Sequence, residues 1–199
     1  GPLDDFQVNL NGDFRELTWE FARVDSGTVQ AELRRIGTLA PEVTVSLSGR
    51  RAFISGFQTE NPTLLMDVDT SAVHVHSVKV VRSDSTFAAD FDVVPLHGER
   101  ARIELKHASL VTPQEEWRTV GPAVIHAGEA GVVVDSVVFA SGRGEFGVRG
   151  TRRLREKKID AHVWGRNVNL AVFRDALRIP VALEGIGTFA LSLEGDEAN

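Results

Sequence analysis

Apolar and polar residues alternate along most of this chain. Leu64, Met66 and Val68 are separated by single residues, and Asp67 and Asp69 take the opposite parity. A period of two directs successive side chains to opposite faces of a β-strand, so each such run predicts a strand with one apolar and one polar face. A dozen or so runs follow one another, separated by glycine and other turn-forming residues. The pattern predicts an all-β chain whose strands are mostly joined by hairpin turns.

Four short stretches interrupt the alternation. Asn11-Gly12-Asp13, between two apolar runs, predicts a hairpin turn, and Asn61-Pro62 predicts a break between strands. Pro113–Trp117 predicts one helical turn with proline near its start. The residues near Leu170–Leu177 carry a helical signal of about two turns.

One run changes phase within itself. Val73 and Val75 share one parity, whereas Val78 and Val80 share the other. Because a shift of one residue turns a strand over, the run would place half of its valines on the wrong face if it were regular. We therefore predict a β-bulge near Ser77.

Composition narrows the class of protein. The 199 residues are 42% hydrophobic and 25% charged, which is typical of a soluble globular chain. A net charge of −6 argues against nucleic-acid binding. The dense basic run Arg152–Lys158 is interpreted as a solvated hairpin turn, with contact to a lipid headgroup or another anionic partner as the alternative.

The chain contains no cysteine, which excludes disulfides, thiolate nucleophiles and cysteine-based zinc sites. No apolar run is long enough to predict a transmembrane helix. Gly1-Pro2 resembles the remnant that a protease leaves after removing an affinity tag. Residues 3–199 are therefore expected to be a single β-rich slice of a longer protein.

No group of residues indicates catalysis. His74 and His76 would face the same way on a strand, but zinc requires three or four ligands, and no further ligand follows at a useful spacing. Asp67, Asp69, Asp90 and Asp92 fit the solvated side of strands, with a carboxylate pair as the alternative. Neither a phosphate-binding glycine loop nor a nucleophile elbow is present. We predict no enzymatic activity, no catalytic or metal-binding residue and no cofactor. The alternative of sugar stacking rests on three isolated tryptophans: Trp19, Trp117 and Trp164.

The C-terminal third resembles the repeat region of TamB-like proteins of the AsmA-like group. The resemblance rests on a glycine-flanked strand pair (GRGEFGVRG), the strand end NVNL, the short segment AVFRDAL and the final run VALEGIGTFALSLEG. It covers roughly residues 137–195 and departs from the family where Asp196 stands after the last glycine in place of the usual proline.

This resemblance implies an elongated curled sheet that forms an open hydrophobic trough, the β-taco. It also implies a periplasmic location within an inner-membrane-anchored protein. Such proteins are implicated in moving phospholipids to the outer membrane, so the implied ligand is a phospholipid or another acyl chain. A closed β-sandwich with an ordinary core is the simplest alternative.

The resemblance also implies a second function, as an interaction module for outer-membrane protein assembly with a TamA-type barrel partner. Open sheet edges offer a route by which a strand of that partner, or of another copy of the fragment, is added. The residues expected to line an acyl-chain groove share the apolar parity of their strands. They are Val43, Val45, Leu47, Leu64, Met66, Val68, Phe87, Phe91, Val93, Val132, Val134, Phe146, Val148, Ile159, Val163, Leu170, Val181, Leu183, Phe189, Leu191 and Leu193.

Overall fold

A computed structural model describes residues 6–19, 22–36, 38–54, 57–82, 84–96, 100–171 and 184–196. The chain is all-β, as predicted, and its paired strands are antiparallel. The strands are β1 (Val8–Phe14), β2 (Leu17–Trp19), β3 (Ala22–Val24), β4 (Gly27–Arg34), β5 (Glu42–Gly49), β6 (Arg51–Ile54), β7 (Phe57–Val68), β8 (Val73–Arg82), β9 (Ser85–Leu96), β10 (Arg100–Val111), β11 (Glu116–Thr119), β12 (Ala123–Gly128), β13 (Gly131–Ala140), β14 (Glu145–Arg153), β15 (Lys158–Asn169) and β16 (Ile186–Asp196). The strands group into two compact units, unit 1 (residues 1–94) and unit 2 (residues 95–199).

In unit 1 the strands follow the order β1-β4-β5-β7-β8-β9. Strand β7 is long enough to serve two partners: its first residues pair with β6, and Thr63–Val68 pair with β5. Strand β6 pairs in turn with β3, and β3 with β2. The sheet of unit 1 therefore forks at β7 into two sets of strands.

The phase change in β8 is a β-bulge, as predicted. Val75 pairs with Phe91 and Val78 pairs with Ala89, so two residues of β8 lie opposite one residue of β9. His76 and Ser77 occupy the bulge. The extra residue returns Val78 to the face that carries Val75, because it offsets the shift of parity in the sequence.

The predicted hairpin turn at Asn11-Gly12-Asp13 is wrong. These residues lie in the middle of β1, where Gly12 pairs with Val29 of β4. Strand β1 does not pair with β2, the next strand in the sequence; its partner is more than ten residues further on. The pairing of β1 with the distant strand β4 therefore overrides the local turn preference of Asn11-Gly12.

Asn61-Pro62 does not end a strand either. Strand β7 runs through both residues, and its register shifts between Glu60 and Thr63. Asn61 has a φ of 46°, and its N–H donates a 2.9 Å hydrogen bond to the carbonyl oxygen of Arg50. Proline has no N–H to donate to the hydrogen bonds between strands, and it is tolerated at bulges. The two residues therefore mark the point at which β7 changes partner.

In unit 2 the order is β10-β11-β13-β14-β15-β16, with β12 between β10 and β13 as well. Arg100–Leu105 of β10 pair with β12, whereas Ser109–Val111 pair with β11. Strands β11 and β12 thus occupy one position in the sheet, interrupted at Gly121-Pro122.

The predicted helical turn at Pro113–Trp117 is wrong, because Trp117 lies in strand β11 and pairs with Leu110. The basic run, by contrast, forms the predicted hairpin between β14 and β15, with its turn at residues 154–157. The predicted helical segment falls mostly on residues outside the described ranges, and only Leu170 and Ala171 are described as helical.

Candidate functional site

The apolar residues of unit 1 lie in rows that cross the strands on one face. Paired residues of antiparallel neighbours project to the same side of a sheet. One row consists of Ala31, Val45, Met66, Val75 and Phe91, which pair in that order from β4 to β9.

Two further rows flank this one on the same face: Leu33, Val43, Val68, Val73 and Val93, and Val29, Leu47, Leu64, Val78 and Ala89. Phe87 joins them through its pair with Val80. All nine unit 1 candidates therefore share one surface, the apolar face of unit 1.

The rows of unit 2 are equally regular. Val137, Val148, Val163 and Leu191 pair across β13, β14, β15 and β16. The neighbouring rows are Val134, Gly150, Ala161 and Leu193, then Val132, Arg152, Ile159 and Gly195, and on the other side Phe139, Phe146, Gly165 and Phe189. These four rows form the apolar face of unit 2, and they contain the candidate residues of β13 to β16.

Three candidates fall near or within the segment between β15 and β16. A Cβ on Gly187 would lie 3.1 Å from a methyl carbon of Leu170, so the Leu170 side chain covers the apolar face at this position. Val181 and Leu183 lie outside the described residues.

The candidates remain accessible. None of the nineteen described ones is fully buried, and Phe87, Leu191 and Leu193 are 37%, 62% and 58% exposed. The inner residues of a closed sandwich are instead covered by a second sheet about 10 Å away. Val75, Ala89 and Val137 within these rows are buried, whereas the described candidates around them are only partly covered.

An aromatic cluster closes one end of the apolar face of unit 2. Trp117 is fully buried, and the centroids of its ring and the Phe146 ring lie 5.1 Å apart. Phe139 stacks on Phe146 at the same distance. Phe189 lies across Gly165, where a Cβ would come within 2.7 Å of its ring. Glycine is required at this position because the aromatic ring occupies the space of a side chain.

Several residues of this surface were not among the sequence candidates. Val73 and Val75 are absent from the candidates because the phase change in the sequence of β8 does not decide their face. Val137 and Phe139 follow a second bulge, between Val134 and Val137, that reverses parity in β13. The sequence predicts a helical turn at Trp117 instead of a strand. In each case the missing signal was the register of a partner strand, which one sequence does not contain.

The opposite face of unit 1 is polar and carries a histidine–aspartate network. His74 donates from Nδ1 to Oδ1 of Asp92 at 2.9 Å, and its Nε2 lies 3.3 Å from Oδ2 of Asp69. His76 Nε2 lies 2.7 Å from Oδ2 of Asp67. The bulge therefore gives the two histidines different carboxylate partners.

These contacts shift the ionisation of the network. The hydrogen bond to Asp92 raises the pKa of His74 above its usual 6.5. Hydrogen bonds from the Ser71 hydroxyl and backbone N–H lower the pKa of Asp69 far below its usual value. A 2.7 Å hydrogen bond from the Thr44 hydroxyl lowers the pKa of Asp67. Within the described residues, no three histidine or acidic side chains are grouped so that they could hold a metal ion.

The tryptophans do not form a common surface. Trp117 is buried and cannot stack on a sugar. Trp164 pairs with Gly147 and Ala190, which places it on the face opposite the apolar rows. The side chain of Trp19 is outside the described set.

A cavity of about 500 Å³ lies in unit 2 at the end opposite the aromatic cluster. Its apolar lining includes Ala101, Ala127 and Val132. The charged lining residues are Arg100, Arg152, Arg153, Arg155 and Glu156. Four positive side chains against one negative one give this region a charge of +3 in a chain of net charge −6.

The fold and this surface define an all-β chain with amphipathic sheets and an accessible apolar face. Comparison with protein-family models, curated proteins and solved structures finds no match to the chain. In the described part, no helix is long and apolar enough to span a membrane.

Proposed function

We propose that this chain is a non-enzymatic segment that holds or conducts the acyl chains of phospholipids on its apolar faces. The observation that carries the proposal is the set of cross-strand apolar rows in which no described candidate residue is fully buried and Phe87, Leu191 and Leu193 are exposed. An ordinary core would bury these side chains, whereas a surface for a mobile apolar ligand must keep them reachable.

The energetics suit a lipid. Transfer of each CH₂ group from water to an apolar surround is favourable by about 0.8 kcal/mol. A single sheet face covers only one side of an acyl chain, so the gain per CH₂ is smaller unless the sheet curls around it. The open trough implied by the resemblance to TamB-like proteins supplies such a curl, and we include it in the proposal.

The wider setting also forms part of the proposal. As a slice of a TamB-like bridge, the chain would carry lipid between the inner and outer membranes across the periplasm. The smooth lining of the unit 1 rows supports conduction over tight binding, because their valine, leucine and phenylalanine side chains offer no fixed polar anchor. The polar opposite face, with its histidine–aspartate network, suits contact with water.

The proposal is tested by mass spectrometry of lipids that co-purify with the chain. We expect wild-type protein to retain phospholipid, and Leu191→Arg and Phe91→Arg to lose most of it, because a guanidinium on the apolar face repels acyl chains. Ala190→Arg and Ala88→Arg are the matched controls, since each residue is near its test position but projects to the opposite face. Lipid-free wild-type protein, or equal retention in the test and control variants, would refute the proposal.

A second candidate function is strand addition. Strand β16 has one partner among the described strands, β15, and carries exposed Leu191 and Leu193 next to its second edge. An extended segment of a barrel protein, a nascent β-rich client or a second copy of this chain could pair there. A photo-crosslinker at Leu191 separates the two functions: lipid adducts support conduction, and protein adducts alone support strand addition.

A further inference from the structure

The arginine-lined cavity of unit 2 lies where the apolar face ends. Arg152 pairs with Val132 and Ile159, so it shares the face of these residues. It is the one charged residue in the four described rows from β13 to β16. An acyl chain on this face therefore meets a guanidinium at the last row.

Two hairpins bring the other cationic groups to the same place. The N–H of Leu154 donates to the carbonyl oxygen of Ala130 at 3.1 Å, which joins the β14–β15 turn to the β12–β13 turn. Gly131 permits the close approach: its φ is 147°, and a Cβ there would lie 1.9 Å from the carbonyl oxygen of Arg152. These contacts set the backbone of the β14–β15 turn, which carries the arginines, beside the β12–β13 turn.

Arg153 and Arg155 form ion pairs at the surface. Arg153 lies 3.4 Å from Glu156, and Arg155 lies 2.8 Å from Glu129. Both pairs are exposed, so they are weak and exchangeable. Guanidinium groups are suited to phosphate because their planar donors form paired hydrogen bonds with its oxygens. The cavity volume is also within the range of about 300–1,000 Å³ that is common for ligand sites.

We propose that this cavity binds the phosphate headgroup of a lipid whose acyl chain lies along the strands on the apolar face of unit 2. The inference rests on the proposed function and adds to it the headgroup chemistry and the direction of the lipid. The phosphate lies at the arginines, and the tail points towards Trp117 and Phe146.

The dimensions agree with this orientation. Phe146 and Arg152 are six residues apart on β14, or roughly 20 Å at the rise of an extended strand. One leaflet of a bilayer has a hydrocarbon thickness of about 15 Å, half of the full core. The face between the aromatic cluster and the arginines therefore accommodates one extended acyl chain.

The test compares two lipids that differ only in the phosphate. Binding of phosphatidic acid and of diacylglycerol with identical acyl chains is measured by native mass spectrometry on the full chain. We expect wild-type protein to bind phosphatidic acid at least about tenfold more tightly, which corresponds to one charged hydrogen-bonded contact. In Arg152→Gln/Arg153→Gln the two affinities should converge to within about twofold, with diacylglycerol binding unchanged.

The control Arg149→Gln/Arg166→Gln removes the same charge from residues that do not line the cavity and should keep the preference. Equal binding of both lipids by wild-type protein would overturn the headgroup site and leave the apolar face standing. Binding of neither lipid would overturn the proposed function itself. Glycerol 3-phosphate serves as the acyl-free probe, and an affinity equal to that of phosphatidic acid would contradict a lipid site.

Discussion

Trp117 and Arg152 lie at opposite ends of the apolar face of unit 2. Each differs in chemical type from the residues between them. The rows that separate them hold valine, leucine, alanine and glycine, which offer contact without fixed polar partners. Trp117 provides the packing that orders one end, and Arg152 provides the charge at the other. At the scale of the residue, the two ends of the apolar face therefore differ: one end is aromatic and packed, and the other carries a positive charge.

Replacing Trp117 by alanine should destabilise unit 2 strongly. Because the side chain is fully buried against Phe146, its loss leaves a cavity that typically costs about 3–5 kcal/mol. Chemical denaturation measures the free energy of unfolding. Trp117→Phe is the control: among the described residues the indole N–H has no hydrogen-bond partner, so phenylalanine should cost much less. A loss below about 1 kcal/mol in Trp117→Ala would show that the cluster is not a packed core.

The histidine–aspartate network predicts a stability maximum in mildly acidic solution. Asp67 and Asp69 have lowered pKa values, so their contribution is present above about pH 4 and is lost as the pH falls further. The pKa of His74 is raised, so its contribution is present below about pH 6.5 and is lost as the pH rises through the raised pKa.

Hydrogen exchange in β8 and β9 checks this dependence. We expect protection to be greatest between about pH 4 and 6.5, after correction for the intrinsic exchange rate. His74→Gln should remove the decline above pH 6.5, whereas His162→Gln in unit 2 should leave it in place. An unchanged decline in His74→Gln would show that another group controls it.

At the scale of the strand, register decides what each residue does. The bulge at His76 and Ser77 keeps Val75 and Val78 on one face although their parity in the sequence differs. The bulge in β13 does the same for Val134 and Val137. Strand length also affects the pairing, because β7 and β10 are long enough for each to pair with two shorter strands.

Deleting Ser77 should remove the bulge and leave the apolar rows of unit 1 in place. Without the extra residue β8 alternates regularly, so Val78 and Val80 stay on the face of Val75 and Lys79 stays on the opposite face. We expect a small change in the thermal unfolding temperature, measured by circular dichroism. Deletion of Lys79 is the matched comparison: it lies in the regular part of β8, so its loss turns Val80 to the polar face and should lower the unfolding temperature strongly. Equal effects of the two deletions would contradict the assigned role of the bulge.

Strand type and face could be predicted from the sequence because both depend on local alternation. All nine candidates of unit 1 fall on one face, and the bulge near Ser77 was predicted from its own valines. Pairing could not be predicted, because it depends on which distant strand lies opposite. The Asn11-Gly12 turn and the Asn61-Pro62 break both failed for this reason, and the alternation in the sequence does not indicate the short strands β3, β11 and β12.

At the scale of the molecule, each unit presents one apolar and one largely polar face. The chain carries a net charge of −6, yet the cavity of unit 2 is positive. Such a distribution favours solubility together with a local site for anions. The exposure of the apolar rows could not be predicted from the sequence, because alternation alone does not distinguish a covered core from an accessible surface.

The central claim is that acyl chains contact one face of the strands and not the other. The most direct measurement is a photo-crosslinking scan along β16, with a photoreactive amino acid placed in turn at each position from Phe189 to Glu194 in the full-length protein in cells. We predict lipid adducts at Phe189, Leu191 and Leu193, and few or none at Ala190, Ser192 and Glu194. Adducts without this period of two, or lipid adducts at none of the six positions, would contradict the account.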